Sequence, residues 1–105
     1  MALFELRTYT VQVGKMAAVA ELYGSEGAAA LQPYQDKLVG YFLGDVGAMN
    51  KLIHLWKFED DADRRRHWAG LYGNATFMAF AGKLRPMLLS QENQLMTQAP
   101  WGPQL

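Results

Sequence analysis

The residues best able to do chemistry lie in two short segments with alternating character. Near the amino terminus, Glu5, Arg7 and Tyr9 are spaced two apart, so they share one face of a β-strand. A guanidinium binds a carboxylate through a planar fork, and a neighbouring glutamate can hold that fork in place. The spacing therefore predicts a site for a polar or anionic ligand. The alternative is a structural Glu5–Arg7 network across strands that fastens a dimer, because buried charges are usually paired.

The second segment is the strand-like run 51–58 in the middle of the chain. His54 is the candidate for proton transfer, because an imidazole titrates near neutrality, and Trp56 on the same face could stack on a planar ligand. The alternative is that His54 is a hydrogen-bonded interface histidine and Trp56 is core. Near the carboxyl end, Gln91 and Asn93 share a strand face, where they either add amides to the same cavity or bind each other.

Other kinds of site find little support in the sequence. The run Arg64–His67 follows three aspartates, which indicates a solvated helix face with spaced ion pairs rather than an anion-binding patch. His54 and His67 lack the spacing of a metal-binding pair, and no carboxylate cluster completes a site. With no cysteine, no glycine-rich phosphate loop and no serine elbow, we predict neither a metal nor a cofactor.

Length and composition predict one domain, which we place at residues 1–98, followed by an irregular tail over residues 99–105. The chain has 105 residues, and ten basic residues balance ten acidic ones, which argues against a nucleic-acid partner. No signal peptide is evident, and no stretch approaches the roughly 20 apolar residues that span a bilayer. We therefore expect a cytoplasmic protein with no membrane span.

The order of predicted elements is β-α-β-β-α-β, which is typical of an α+β ferredoxin-like fold. Such a chain forms a four-stranded antiparallel sheet with its helices on one face. Pro33 ends the first helix, the aspartates after Glu59 begin the second, and Asn74 caps a short third. The predicted strands are residues 2–11, 36–45, 51–58 and 87–97, and the predicted helices are residues 15–32, 60–72 and 74–84.

The strand over residues 51–58 carries large apolar groups on both of its faces. Leu52, His54, Trp56 and Phe58 point one way, whereas Ile53 and Leu55 point the other. The helices of so short a chain cover only one face of the sheet, so the second face needs a partner. This predicts a homodimer in which two sheets enclose a cavity.

Four segments together resemble the NIPSNAP family, and the resemblance extends over nearly the whole chain. They are Phe4–Tyr9, His54–Phe58, Arg64–Arg66 and Ser90–Asn93. The resemblance implies a dimeric α+β barrel, in which two ferredoxin-like subunits press their open sheet faces together. The biochemical activity of the family is poorly defined. Barrels of this kind include cofactor-independent monooxygenases, isomerases and haem-degrading enzymes, so the fold permits an enzyme without identifying a reaction.

These observations favour a homodimer that binds a small polar or planar molecule between its sheets. Glu5 and Arg7 would orient the ligand, with Tyr9, Trp56 and Asn93 around it and His54 placed for proton transfer. Two alternatives remain open at this point. One is a structural or protein-interaction dimer without catalysis. The other, by fold analogy, is a cofactor-independent monooxygenase or isomerase, or a protein that binds haem or another planar ligand by His54 against Trp56. Whether the chain is an enzyme is left open.

Overall fold

The computed structural model describes residues 2–105 as a four-stranded antiparallel sheet with helices on one face. The strand order is β2-β3-β1-β4, which is the ferredoxin-like arrangement that the sequence predicts. The elements in chain order are β1 (Leu3–Val11), α1 (Met16–Leu22), a π-helical turn (Tyr23–Gly27), α2 (Ala28–Leu31), a 3-10 segment (Gln32–Lys37), β2 (Leu38–Leu43), β3 (Lys51–Phe58), α3 (Asp61–Tyr72), α4 (Ala75–Leu84), a 3-10 turn (Arg85–Met87) and β4 (Leu88–Met96).

The first helical stretch differs from the single helix that the sequence predicts for residues 15–32. A wider π-helical turn at Tyr23–Gly27 interrupts it, where the N–H of Ala28 donates to the carbonyl oxygen of Tyr23. Pro33 ends the α-helix, but the chain continues as a 3-10 segment to Lys37, so β2 begins two residues later than predicted. Proline suits this place because the first positions of a helical segment need no N–H partner.

The two later helices begin at side-chain caps, as the sequence predicts. An Asp60 carboxylate oxygen accepts from the backbone N–H of Asp63 at 2.8 Å, and the Asn74 side-chain oxygen accepts from the N–H of Phe77 at 3.0 Å. Each cap satisfies one of the N–H groups that a helix leaves unpaired at its start. The caps thereby set where α3 and α4 begin and which of their side chains face the sheet.

The hydrophobic core lies between the sheet and the helices, and the other sheet face has no helix on it. Trp56 and Phe58 from β3, Leu71 from α3 and Phe80 from α4 are among its most buried side chains. On the opposite face, Phe42 of β2 is 52% exposed. One face of the sheet is thus core, and the other presents apolar groups outward.

After β4, residues 97–105 form turns without a strand or helix, and the tail folds back toward β3. The Lys57 ammonium donates to the carbonyl oxygen of Leu105, and the N–H of Leu105 donates to the side-chain oxygen of Gln98 at 3.0 Å. The division into a domain over residues 1–98 and a tail over residues 99–105 stays a prediction. Within residues 2–105, no helix has the length and apolar character needed to cross a membrane.

Candidate functional site

The strand register brings the polar residues of β1 and β3 together on one face of the sheet. Arg7 of β1 lies opposite His54 of β3, and Glu5 lies opposite Trp56. On the outer strands, Tyr41 of β2 pairs with His54. The two segments that the sequence marks for chemistry are therefore direct neighbours in space.

The helices cover this face of the sheet. The prediction that these residues line a cavity between two sheets is therefore wrong. The Trp68 indole N–H on α3 donates to Glu5 at 2.9 Å, and the Tyr23 hydroxyl lies 3.1 Å from Nε2 of His54. Strand alternation separates two sets of side chains but does not say which set the helices cover. The hand of the crossover connections decides that. Any site built on these residues lies inside a single subunit.

A pocket of about 60 Å³ lies between the helices and this face of the sheet. Arg7, Tyr9, His54 and Trp56 form its sheet side, so four of the six predicted site residues line it. A water molecule needs roughly 10–15 Å³ on a comparable scale, so the pocket holds a few waters or the head of a small ligand. Its helical side is mainly aromatic and includes Trp68, Tyr72, Phe77 and Phe80.

Glu5 forms the centre of a buried charge network behind the pocket. Its side chain is fully buried, and one oxygen accepts from Nε of Arg7 at 2.7 Å. The other oxygen accepts from the Trp68 indole at 2.9 Å and from Arg64 at 3.4 Å. The predicted Glu5–Arg7 pairing therefore exists, but it runs along β1 and ties α3 to the sheet instead of joining two subunits. Arg64 also pairs with Asp61 at 3.0 Å, so the positive charge that faces inward in this network is that of Arg7.

Arg7 carries that positive charge to the wall of the pocket. Its guanidinium carbon lies 3.5 Å from the centre of the Trp68 ring, a cation–π contact that holds the group flat. Burial opposes the charge, but Tyr9 and Glu5 outweigh burial and raise the pKa of Arg7, so the group stays protonated. Nη1 has only a long 3.4 Å contact with the Tyr9 hydroxyl. Within residues 2–105, Nη2 makes no hydrogen bond, so this end of Arg7 can receive an anion.

His54 lies beside Arg7 and is almost completely buried. Burial, together with the charge of Arg7, lowers its pKa to about 3, so the imidazole is neutral at physiological pH. Nε2 contacts the Tyr23 hydroxyl, while the buried Nδ1 has no hydrogen-bond partner within residues 2–105. The tautomer follows from which of the two groups donates in that contact. A neutral imidazole with one unpaired nitrogen can exchange a proton or a hydrogen bond with a ligand.

The π-helical turn is what brings Tyr23 to His54. Gly27, in the same turn, lies so close to Phe80 of α4 that an added Cβ would be 2.8 Å from its ring. Phe80 in turn packs edge-on against the Tyr23 ring at 5.0 Å between centroids. Gly24, in the same turn, has nothing within 4 Å of such a Cβ, so only Gly27 packs closely on α4. π-Helical turns occur frequently at functional sites.

Three further buried polar atoms, on Trp56 and on two rings that pack against it, lack a hydrogen-bond partner within residues 2–105. They are the Tyr41 hydroxyl, the Trp56 indole nitrogen and Nε2 of His67. Burial raises the pKa of Tyr41 to about 12 and lowers the pKa of His67 to about 4, so both are neutral. Unpaired buried polar groups of this kind are uncommon. Packing alone does not require polar atoms at the centre of β3.

The remaining predicted site residues behave differently. Asn93 is exposed, accepts a 2.9 Å hydrogen bond from Gln91 and does not line the pocket, whereas Gln91 does. In the run Arg64–His67, Arg65 pairs with Asp61 at 2.6 Å, as expected for a solvated face. His67 departs from that expectation because it is buried against Trp56, with 4.7 Å between the ring centres.

The residues present do not fit haem. Nε2 of His54 already contacts Tyr23, and the pocket is far narrower than a porphyrin. Across residues 2–105, no group of three histidine, cysteine or acidic side chains is arranged to hold a metal ion.

Sequence reasoning missed several residues of the pocket. Tyr23 belongs to the apolar stripe of the first helix, and its hydroxyl gives no signal of its own. Trp68 and Tyr72 are spaced four apart on α3, a spacing that places both rings on one helix face. That pair was a usable signal, because it coincides with the face that covers β1.

The NIPSNAP family model matches residues 4–103, almost the whole chain. The chain belongs to the NIPSNAP family. A NIPSNAP family protein from Agrobacterium tumefaciens str. C58 has a TM-score of 0.92 and 29% identity, with 98% of each chain covered. An uncharacterized NIPSNAP-like domain protein from Burkholderia xenovorans has a TM-score of 0.90 and 30% identity, with 99% of this chain and 90% of that chain covered. No curated protein matches this NIPSNAP chain.

A more distant structural similarity extends beyond the NIPSNAP family. A putative antibiotic biosynthesis monooxygenase from Caulobacter crescentus CB15 has a TM-score of 0.68 and 14% identity, with 93% of this chain and 90% of that chain covered. At this level of identity the similarity shows a shared fold and nothing about the reaction.

Proposed function

We propose that this NIPSNAP chain binds a small, planar, anionic molecule in the pocket between its sheet and its helices. The observation that carries the proposal is the buried Arg7 guanidinium, whose Nη end borders an aromatic pocket. Its other end is fixed by Glu5 and its plane rests on Trp68. A guanidinium held in this way binds a carboxylate with little loss of conformational freedom.

In this proposal the parts of the pocket have separate roles. Arg7 receives the anionic group, and Glu5 orients Arg7 without touching the ligand. Tyr9 and Trp56 shape the sheet side of the pocket, and the aromatic rings of α3 and α4 cover the flat body of the ligand. His54 is the group placed for proton transfer, which makes it the candidate catalytic residue if the pocket is an active site.

The proposed homodimer uses the opposite face of the sheet. Leu6, Ile53 and Leu55 lie on that face with Phe42, because each alternates with a residue that faces the helices. A second copy of the chain would bury these apolar side chains, as the resemblance to dimeric α+β barrels implies. Each subunit would then hold its own pocket, and the dimer interface would lie on the opposite face of the sheet that lines it.

The main rival is a structural or interaction dimer without a ligand. It is favoured by the Glu5 network, which ties α3 to β1 and would be useful without any ligand. The distant similarity to a monooxygenase extends only to the fold, so it supports neither an oxygenase nor an isomerase reaction.

The first test is titration with benzoate, a planar anion with one ring, followed by tryptophan fluorescence and by amide chemical shifts. We expect saturable binding with shifts centred on β1 and β3. The neutral isostere benzamide should bind at least ten times more weakly, because Arg7 selects the charge. Absence of benzoate binding, or equal affinity for benzamide, would overturn the proposed function.

A matched pair of arginine variants locates the binding group. Arg7→Met should weaken benzoate binding at least tenfold, whereas Arg85→Met, at the exposed rim of the pocket, should change it less than threefold. In Arg7→Met, Glu5 keeps its contacts with Trp68 and Arg64, and a thermal melt checks that the fold persists. If that variant unfolds, the double variant Glu5→Leu/Arg7→Met removes both buried charges and replaces it.

The homodimer is tested separately by native mass spectrometry. The wild-type chain should be dimeric, and Phe42→Asp should be monomeric, because a carboxylate would be buried in the proposed interface. Tyr72→Asp places the same charge on an exposed aromatic residue of the helical side and should leave the dimer intact. A monomeric wild-type chain would end the dimer proposal without affecting the pocket.

A further inference from the structure

The pocket presents a second recognition group beside Arg7, and this group is only half satisfied. His54 lines the pocket, is 5% exposed and uses Nε2 in its contact with Tyr23. Nδ1 is buried without a partner within residues 2–105. A buried polar atom that stays unpaired is costly, so a ligand atom that pairs with it is favoured.

The distance between the two recognition groups limits the ligand. Arg7 and His54 are directly opposite each other on β1 and β3, and cross-strand neighbours have Cβ atoms roughly 4.5–5.5 Å apart. Two functional groups on neighbouring atoms of one ligand suit a pair of side chains that begin this close together.

The contact with Tyr23 identifies the kind of group that Nδ1 requires. If the Tyr23 hydroxyl donates to Nε2, Nδ1 carries the proton and needs an acceptor. If Nε2 donates to Tyr23, Nδ1 has a lone pair and needs a donor. A hydroxyl group both donates and accepts, so it pairs with Nδ1 in either tautomer, whereas a carbonyl or an ether oxygen pairs in only one.

The walls of the pocket determine the body of the ligand. Trp68, Phe77 and Phe80 border the space, and aromatic rings favour a flat partner that they can meet face to face or edge to face. The volume of about 60 Å³ holds only the head of a small ligand, which limits the body of the ligand to a single ring.

We propose that the ligand is a planar 2-hydroxycarboxylate with a single ring, whose carboxylate binds Arg7 and whose adjacent hydroxyl binds Nδ1 of His54. This inference rests on the proposed function and narrows it to one substrate class. Tyr23 is a positioning residue in this arrangement, because it occupies Nε2 and leaves Nδ1 for the ligand.

The test compares four probes that differ by one group. 2-Hydroxybenzoate carries both oxygens in the required positions, benzoate lacks the hydroxyl, 4-hydroxybenzoate places it too far away, and 2-methoxybenzoate keeps the bulk without the donor. By isothermal titration calorimetry, we expect 2-hydroxybenzoate to bind at least tenfold more tightly than benzoate and 4-hydroxybenzoate. The affinity for 2-methoxybenzoate reports the tautomer: it should match benzoate if Nδ1 has a lone pair, and it should exceed benzoate if Nδ1 carries the proton. Equal affinity for 2-hydroxybenzoate and benzoate would refute the inference and leave the proposed function standing, whereas failure of all four probes would refute both.

Variants of the second recognition group complete the experiment. His54→Gln should bring the affinities for 2-hydroxybenzoate and benzoate within threefold of each other. A preference that survives in His54→Gln would contradict the inference. Tyr23→Phe retains His54 but releases Nε2, so it should reduce the preference without removing benzoate binding. This variant also provides the test if His54→Gln does not fold.

Discussion

The two faces of the sheet differ in what they bury and in what holds them together. On the covered face, Glu5 and Arg7 lie among aromatic rings and are bound by side chains from α3. On the open face, Thr8 of β1 and Ile53 of β3 point away from Glu5 and Arg7 and have no helix above them. One strand thus serves two environments, and a substitution at neighbouring positions should have very different effects.

The largest contrast should come from Glu5→Leu, which removes the acceptor shared by Arg7, Arg64 and Trp68. The charge of Arg7 would then remain buried without its partner, which we expect to lower the free energy of unfolding by about 3–5 kcal/mol. Urea denaturation provides the measurement. The matched change Thr8→Val, three positions along β1 on the open face, should stay within about 0.5 kcal/mol.

A second substitution separates loss of the pair from loss of packing. Adding Arg7→Met to Glu5→Leu removes the unpaired charge of Arg7. The free energy of unfolding should then recover most of what Glu5→Leu lost. If the double variant is as unstable as Glu5→Leu alone, the network contributes through shape and the contrast between the faces is not electrostatic.

Acid should lower the free energy of unfolding, because the buried imidazole of His54 on the covered face resists protonation. The pKa of His54 is about 3 in the folded chain against an ordinary value of 6.5, so the unfolded chain takes up the proton first as the pH falls. The contribution to stability is complete above pH 6.5 and is lost as the pH falls toward 3, at up to about 1.4 kcal/mol per pH unit. His67 adds to this between pH 6.5 and about 4.

Urea denaturation at several pH values measures this effect against a variant. Between pH 6 and pH 4, His54→Gln should lose less stability than the wild-type chain, while both chains share the losses from carboxylates and from His67. Parallel curves for the two chains would show that His54 takes up its proton in the folded state without a penalty, and that it is less buried than the structure indicates.

A smaller contrast should appear within the π-helical turn. Gly27→Ala forces a methyl group against Phe80, and overpacking of this kind costs about 1–3 kcal/mol. Gly24→Ala meets nothing within 4 Å and should be neutral or stabilising by up to about 1 kcal/mol. Thermal melts of the two variants give the comparison, and equal melting temperatures would show that Phe80 moves aside.

The smallest effect is expected at the edge of the covered face. Asn93 sits beside Arg7 in the register but is exposed and bonded to Gln91. Asn93→Ala should change benzoate affinity less than twofold, as measured by calorimetry. A tenfold loss would mean that β4 closes over the ligand and that the pocket extends further than the free chain shows.

The comparison also shows how much of the molecule could be predicted. Alternation over residues 51–58 correctly separated His54 and Trp56 from Ile53 and Leu55, and turn and cap residues correctly located the helices. Whether the helices cover the side with His54 depends on crossover handedness, which strand alternation does not contain. The sequence therefore correctly grouped the polar residues on one face of the sheet, but the prediction assigned them to the face without helices.

Other features depend on contacts that form only in the folded chain. The wide turn before Gly27 is stabilised by Phe80, which is more than fifty positions away in the sequence. The contact between Tyr23 and His54 depends on that turn, so the partner of the proposed proton-transfer group could not be predicted from local patterns. The exposure of Asn93 likewise follows from the position of β4 at the sheet edge, which no local pattern shows.

The π-helical turn also corrects the phase of the first helical stretch. Four inward-facing residues recur at every fourth position, at Val19, Tyr23, Gly27 and Leu31. In a regular α-helix, residues four apart are offset by about 40° around the axis, so by the third step this row would have turned to another side of the helix. The π-helical turn has more residues per turn, so it reverses part of that offset. Deleting Ser25 would change the spacings to four, three and four, which a regular α-helix carries on one face, so the two ends of the stretch should keep their directions without the wide turn.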